Sequence, residues 1–383
     1  MTVTDVWSDL VGQEPVVDTL RAAVASAGGD GRSMTHAWLF TGPPGSGRSN
    51  AALAFAAALQ CESGGCGQCH SCTTARAGSH PDITVITTEG LTIGVDGIRE
   101  YVRASSLRPA LGRWQVLVVE DADRLTDPAA AALLKAIEEP SKHTVWMLCA
   151  PSAEDVMITL RSRSRSVILR TPGTAAIARL LVERDGIEPA MAQAVAAASQ
   201  GHIGRARGLA RDPSARERRR AILSIPVSIH GLGDCLVAAQ RISDEATVRA
   251  SDFCDAADER ELADLRQAWG VEERGRRPAG YAGAASALEK DQKRRRTRMT
   301  RDGIDGVLLD LLSFCRDVLA VQCATGVDLV NADVADDVRE MARVWTPEST
   351  IGAIDAIVEC REALTANAAP LLALERMMMG LRR

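Results

Sequence analysis

The sequence predicts an α/β fold, in which a five-stranded parallel sheet is covered by helices and is followed by helical regions. Five short apolar, β-branched runs occur before residue 170, and helical patterns lie between most of them. Parallel strands need such crossovers, which place helices on both faces of the sheet. The predicted strands are 37–40, 83–86, 116–119, 144–149 and 167–169, and the predicted helices between them are 49–59, 95–106 and 128–137.

The strand signals fade after Pro172. Residues 174–220 have helical patterns, interrupted at Gly201 and at Asp212–Pro213, and helical patterns continue from about residue 221, with a predicted loop over 270–283. We therefore predict three domains. These are a sheet domain over 1–172 with a cysteine-rich insertion at 61–72, a small helical domain over 173–230, and an all-helical C-terminal domain over 231–383.

The composition and net charge of the chain argue against some classes of function. Of 383 residues, 46% are hydrophobic but only 3% are aromatic, and the net charge of −5 argues against a uniformly basic nucleic-acid binder. Basic runs at 216–220 and 293–301 are typical of solvated helix faces and, less often, of phosphate or partner contacts.

Residues 1–14 do not resemble a signal peptide, and the apolar run 51–59 is much shorter than a membrane span. We expect a cytoplasmic protein without membrane contact, where ten cysteines do not indicate a disulfide framework.

A glycine-rich loop at residues 42–49, here called the phosphate loop, follows the first predicted strand and opens a helix. Its sequence GPPGSGRS fits the P-loop pattern at all positions but one. Gly42, Gly45 and Gly47 would let backbone N–H groups surround phosphate oxygens, and Ser49 would reach a magnesium ion. Arg48 stands where the pattern has lysine, and its larger, planar head cannot be assumed to perform the same role. The alternative is a plain strand-to-helix turn.

The third predicted strand ends in Glu120 and Asp121. In active P-loop ATPases an aspartate here helps hold magnesium and a glutamate beside it polarises the attacking water. The two residues stand in the opposite order, so neither carboxylate has the expected reach. With Arg48, this order predicts poor or absent ATP hydrolysis. Read alone, the pair would be a solvated strand end.

Four cysteines, Cys61, Cys66, Cys69 and Cys72, lie within 12 residues. Thiolates at this spacing can close a tetrahedral zinc site, and the glycines between them allow tight turns. We predict a structural zinc ion. Redox-active or incidental cysteines are the alternative, and His70 could compete as a ligand.

Three arginines, Arg161, Arg163 and Arg165, precede the fifth predicted strand. An arginine at a domain edge can reach a neighbour's nucleotide and stabilise charge on its γ-phosphate, as an arginine finger does. Composition alone favours a solvated basic loop.

Together these features resemble the AAA+ family of bacterial clamp-loader subunits. Residues 7–14 (WSDLVGQE) are similar to the family's N-terminal box near the nucleotide base, and residues 36–40 (HAWLF) continue the likeness into the phosphate loop. The cysteine insertion and residues 132–140 (ALLKAIEEP) also match. The resemblance is strong over 7–170, weaker over 171–230 and 285–320, and absent over 231–284.

The resemblance implies an AAA+ P-loop domain, a helical lid over 173–230 and a helical collar over 231–383 that joins subunits. The family's Ser-Arg-Cys motif falls on residues 162–164, which implies that Arg163 is the finger, although Ser164 replaces the cysteine. The family's lid arginine, expected shortly after a glycine, aligns on Gly204, so Arg205 is one place off and nucleotide sensing by the chain's own lid is a further expected loss.

Within the family, Arg48 and the Glu120–Asp121 order resemble the delta-prime branch of DNA polymerase III. This branch implies a hetero-oligomer with tau/gamma motor subunits and delta, which places the sliding clamp on primed DNA. The subunit would not polymerise DNA itself. The sequence leaves ATP binding open.

Two alternative functions are also compatible with parts of the sequence. An active tau/gamma-type motor shares the P-loop and cysteine module but is expected to have the lysine and the Asp–Glu order. A zinc-dependent DNA-binding module belongs to another class, and the acidic charge and scarce aromatic residues count against it.

Overall fold

The computed structural model describes residues 5–28, 33–88, 92–271, 278 and 280–382. The chain divides into two compact units, Met1–Ala210 and Arg211–Arg383. Among the described helices, none combines the length and hydropathy that a membrane span requires.

The first unit contains a five-stranded sheet in which every strand pair is parallel, as the sequence predicts. The strand order is β2-β3-β4-β1-β5, so the strands at the two edges are β2 and β5. The strands are β1 (Ala37–Thr41), β2 (Ile83–Ile86), β3 (Gln115–Val119), β4 (Thr144–Ala150) and β5 (Arg165–Ile168).

The fifth strand begins two residues earlier and ends one residue earlier than its apolar run. Its first residues, Arg165 and Ser166, are exposed, which an edge strand tolerates. They join the sheet because their backbone pairs with Trp38 and Leu39 of β1. The Arg165 guanidinium also lies 5.0 Å from the centre of the Trp38 ring, which accounts for a charged residue at this position.

Helices cover both faces of this sheet. Trp38 and Phe40 point to one face, where they pack with Phe55, whereas Leu39 points to the other face, where it packs with Leu133. The helices of the unit are α1 (Glu14–Ala27), α2 (Arg48–Gln60), α3 (His70–Arg76), α4 (Val95–Ser105), α5 (Asp127–Glu138), α6 (Ile158–Arg161), α7 (Thr174–Asp185), α8 (Pro189–Ala198) and α9 (Ile203–Arg211).

The described part of the second unit contains helices joined by loops and no strand. Its core is built around buried residues such as Leu311, Phe314, Ile357 and Leu374. Its helices are α10 (Pro213–Leu223), α11 (Ile225–Ser228), α12 (Leu232–Ala268), α13 (Tyr281–Gln322), α14 (Ala335–Val344), α15 (Pro347–Thr365) and α16 (Pro370–Gly380).

The predicted division into three domains stays a prediction. The boundary between the two compact units, after Ala210, falls inside the predicted helical domain 173–230. The predicted loop 270–283 is shorter at its C-terminal end, because α13 begins at Tyr281 behind Gly280, whose φ is +95°. Residues 272–277 and 279 of that loop lie outside the described residues.

Candidate functional site

The carboxyl ends of three neighbouring strands bring the predicted site residues together. The phosphate loop follows β1, the acidic pair follows β3, and β4 lies between these strands. The N–H group of Gly42 donates a hydrogen bond of 3.1 Å to the carbonyl of Pro151, just beyond β4. Burial raises the pKa of the Cys149 thiol in β4. The charge of Arg48 lowers this pKa, whereas the charges of Glu120 and Asp121 raise it.

The glycines of the phosphate loop adopt backbone angles that explain their presence. The φ angles of Gly42, Gly45 and Gly47 are +155°, +85° and +90°. Residues with side chains rarely adopt such angles. Gly47 directly precedes α2, so the loop opens a helix whose first N–H groups point toward its N-terminus. Ser49 lies in the first turn of this helix.

The Arg48 side chain turns back on the loop that carries it. Its Nη1 atom donates a hydrogen bond of 2.9 Å to the backbone carbonyl of Gly42. The Arg48 guanidinium is therefore hydrogen-bonded to the backbone of its own loop. A lysine ammonium in a working P-loop instead reaches the β- and γ-phosphates.

Acidic groups gather opposite the loop. The N–H group of Glu120 donates to the Ile86 carbonyl at 3.1 Å, which extends the β2–β3 pairing into the acidic pair. Burial raises the pKa of Asp123, and the nearby Asp121 carboxylate raises it further, whereas Arg124 and Arg48 lower it. Arg48 therefore acts electrostatically on this acidic cluster.

The predicted finger, Arg163, lies in the turn between α6 and β5. Its side chain is 42% exposed, and Nη2 lies 2.7 Å from Oε1 of Glu138 at the end of α5. Its Nη1 donates to the Thr159 carbonyl and the Ser162 hydroxyl, each at 3.2 Å. The guanidinium is thus held at the surface by groups of its own chain.

The four predicted metal ligands converge. The Sγ atoms of Cys61, Cys66, Cys69 and Cys72 all lie within 4.8 Å of one another, and those of Cys61 and Cys69 are 3.7 Å apart. Four thiolates about 2.3 Å from a tetrahedral zinc ion would be separated by roughly 3.8 Å, so the spacing fits. Among the described residues, this group consists of the cysteines, and His70 is not one of its members.

Backbone donors lower the pKa of Cys61 and Cys66, whereas burial raises the pKa of Cys69 and Cys72. Burial raises the pKa of Cys61, but the N–H groups of Cys66, Gly65 and Ser63 outweigh it and lower the pKa to about 6. The N–H group of Cys69 similarly points at Sγ of Cys66, at 3.4 Å. Such N–H groups stabilise the negatively charged form that binds metal.

The cysteine loop packs against the beginning of the chain. The N–H group of Val6 donates to the Gly65 carbonyl at 3.1 Å, and the Trp7 indole donates to the Gly64 carbonyl at 3.2 Å. A methyl group at Gly65 would lie 2.5 Å from the Val6 side chain, so the contact requires glycine. The cluster therefore fastens the N-terminal segment to the end of α2.

Comparison with known proteins gives the family. Residues 13–172 match the family model described as "DNA polymerase III, delta subunit". The chain is 32% identical over 190 residues to the gamma/tau subunit of DNA polymerase III from Mycobacterium tuberculosis, covering 47% of this chain and 32% of that protein. It is 29% identical over 200 residues to the delta' subunit from Bacillus subtilis, covering 51% of this chain and 60% of that protein. Over residues 13–172 the chain is therefore similar to clamp-loader subunits of DNA polymerase III.

The chain thus aligns with between about a third and three fifths of the length of these relatives. A solved structure of a gamma-subunit-related protein of DNA polymerase III from Thermotoga maritima covers 96% of this chain and 98% of that chain, at 17% identity and a TM-score of 0.46.

Two further residues, which the sequence did not mark as functional, contact the phosphate loop or its backbone. Gln13 is buried, and its Nε2 donates to the Arg170 carbonyl at 2.6 Å and to the Ser46 carbonyl at 3.3 Å. His202 lies against Gly45 and accepts a hydrogen bond from the Arg205 N–H group at Nδ1. Gln13 lies in the N-terminal box, which was a usable signal, whereas nothing local in the sequence marks His202.

Proposed function

We propose that this chain is the delta-prime-type subunit of a DNA polymerase III clamp loader, and that it does not hydrolyse ATP. The observation that carries the proposal is the Arg48 side chain bonded to the Gly42 carbonyl of its own loop. The reversed Glu120–Asp121 pair supports it at a second, separate position. Loss of a positioned charge at either place costs catalysis heavily, because stabilisation of the transferred phosphoryl group depends on placement.

The tau/gamma-type motor is the second candidate, and the 32% identity to a gamma/tau subunit supports it. An ATPase assay on the purified chain separates the two, with DNA and magnesium present. We expect turnover at the background level set by a chain in which Asp121 is replaced by Ala. Turnover well above that background would identify the chain as a motor.

Arg163 is the proposed arginine finger for the ATP site of a neighbouring motor subunit. Its exposure and its position in a turn suit a group that reaches another chain. The side chains of Arg163 and Glu138 are each 42% exposed, so water screens the ion pair between them. Replacing the Glu138 carboxylate by a phosphate as the partner of Arg163 therefore requires little energy. A γ-phosphate offers more charge than one carboxylate and accepts several N–H donors from the guanidinium fork.

Replacing Arg163 by Ala should lower ATP turnover of the reconstituted loader by about 10³-fold or more, which is the effect of losing a finger in other systems. Arg163→Lys should recover little, because an ammonium lacks the planar fork. Arg161→Ala is the matched control, since that arginine lies in the same segment and is 36% exposed. The measurement is steady-state phosphate release with all subunits present. Equal turnover in the Arg163 and Arg161 variants would remove Arg163 from this role.

The cysteine cluster is proposed to hold one structural zinc ion. Four protein thiolates complete a tetrahedral shell, which leaves no ligand position for a substrate. The contacts to Val6 and Trp7 support a stabilising role within the sheet domain.

The proposed partners are the tau/gamma and delta subunits, joined through the helical second unit, and through them the sliding clamp and primed DNA. Affinity capture of the full chain, followed by identification of bound proteins, tests this assembly. Recovery of DNA polymerase III subunits supports it, and capture without them counts against it. Its cytoplasmic location remains a prediction.

A further inference from the structure

The phosphate loop is in close contact with the turn before α9. A methyl group placed on Gly45 would lie 2.7 Å from both Cα and Cβ of His202 and 2.8 Å from Cγ of its ring. Atoms of a side chain essentially never approach so closely, so this face of the loop has no room for a further group. The imidazole and its backbone therefore lie directly on the loop.

The same turn also contacts the segment that leaves the sheet. A methyl group on Gly201, whose φ is +92°, would overlap Cγ2 of Thr171. Gln13 connects that segment to the loop, since it donates to the carbonyls of Ser46 and Arg170 and accepts from the Arg170 N–H group at 3.2 Å. The loop, the segment after β5 and the turn before α9 thus form one contiguous contact.

Two side chains of the loop lie against its own backbone at Gly42. The Ser46 hydroxyl is buried and has no hydrogen-bond partner among the described residues. It would lie 2.7 Å from a methyl group on Gly42. Arg48 is bonded to the Gly42 carbonyl. Contacts within the protein therefore support the shape of the loop.

We propose that His202 acts as a built-in plug of the phosphate loop, holding α9 on the loop where other P-loop proteins use a bound nucleotide. The plug would fix the first unit in one conformation regardless of ATP, and it would keep nucleotide out even if Arg48 were restored to lysine. This inference rests on the proposal that the chain does not hydrolyse ATP, and it names a second obstacle to nucleotide binding besides Arg48.

The protonation state of His202 suits a plug. Burial and the neighbouring Arg205 lower its pKa, so the ring is neutral near pH 7. Nδ1 accepts the Arg205 N–H group at 3.2 Å, which caps the start of α9 and fixes the ring. A neutral ring offers no charge to attract a phosphate.

His202→Ser is the sharpest test, because a serine hydroxyl can still cap α9 while the ring on Gly45 is removed. The readout is amide hydrogen exchange over residues 42–49 and 199–211 in the full chain. We expect exchange in both segments to rise by about tenfold or more, because the local contact is lost. His230→Ser, at an exposed histidine of the second unit, is the matched control and should leave both segments unchanged. Unchanged exchange of the loop in His202→Ser would overturn the proposal.

Nucleotide binding gives the second test. A fluorescent ATP analogue with magnesium is titrated into Arg48→Lys and into Arg48→Lys/His202→Ser. We expect saturable binding by the double variant and at least about tenfold weaker binding by the single one, an affinity difference of about 1.4 kcal/mol. Equal affinity of the two variants would show that Arg48 alone excludes nucleotide, so the plug would fail while the non-motor proposal stands. ATP turnover by the unaltered chain would overturn both.

Discussion

Asp82 shows how much one buried carboxylate organises at the residue scale. It is 1% exposed and accepts three backbone N–H groups, from Ala110 at 2.5 Å, Leu111 at 2.9 Å and Gly112 at 2.5 Å. Burial raises its pKa, but these hydrogen bonds and nearby His80 outweigh that effect and lower it. The charged form therefore fixes the chain segment that leads into β3.

Asp82→Asn should lower the free energy of unfolding by about 1–3 kcal/mol at pH 7, because the amide NH₂ group cannot accept the N–H groups that the lost oxygen accepted. The folded pKa lies below the unfolded value of about 3.9, so the carboxylate's contribution is complete above pH 4 and disappears as the pH falls through the folded pKa. Urea unfolding at pH 7 and at pH 3 measures the difference between the two proteins, which should shrink at the lower pH. Asp96→Asn, at a side chain 94% exposed, is the control. A constant difference at both pH values would contradict the assignment.

The long helices α12 and α13 carry the main finding at the scale of elements. Their common seam begins with apolar residues such as Ile242 and Ile304 and passes through small residues such as Ala246. It then becomes ionic at Asp258, whose carboxylate lies 2.5 Å from Arg295 and 2.6 Å from Arg296. The basic run 293–301 is therefore only partly the solvated face that its composition suggests.

Asp258→Asn should loosen the distal part of this helix pair, residues 247–268 and 281–302. Removing one partner of a buried ion pair leaves uncompensated charge, and the partial exposure of Arg295 and Arg296 reduces the expected cost to about 1–3 kcal/mol. Hydrogen exchange should accelerate in these two segments while the buried residues around Phe314 stay protected. Asp291→Asn, whose pair with Arg294 is exposed, should change little. Uniform acceleration across the second unit would contradict a local role.

At the scale of the whole molecule, the division into two units allows stability to be assigned to each. The cysteine cluster belongs to the first unit and contacts its N-terminal segment. If the cluster binds zinc, removal of the metal withdraws binding free energy from that unit alone.

A strong chelator should therefore lower the unfolding temperature of the first unit and leave that of the second unit unchanged. Losing ~3 kcal/mol would shift the midpoint by roughly 6–12 °C for a unit of this size. Calorimetry with zinc analysis measures both quantities, and Cys66→Ser should reproduce the shift without chelator. Cys323→Ser, at an exposed cysteine outside the cluster, is the control. Purified protein without zinc, or an equal shift of both transitions, would reject the assignment.

Prediction from the sequence succeeded where the signal was contiguous. The apolar runs gave the five strands, with bounds that differ by one or two residues, because strand burial leaves its pattern in neighbouring positions. The phosphate loop and the cysteine cluster were equally readable, since each motif lies within 12 residues. The prediction of a solvated basic run over 216–220 was wrong for Arg219. This residue is 5% exposed and bonded to Asp310. A charge whose partner lies far along the chain has no local signature.

The sequence by itself thus determined the parallel sheet, the position of the phosphate loop and the convergence of the four cysteines, because local spacing and backbone geometry dictate all three. Only the tertiary structure decided that Arg48 turns onto Gly42, that Arg163 pairs with Glu138 and that His202 lies on Gly45. The side-chain direction of Arg48 and the distant partners of Arg163 and His202 depend on how the sheet brings remote segments together. Such contacts are set by packing and electrostatics in three dimensions.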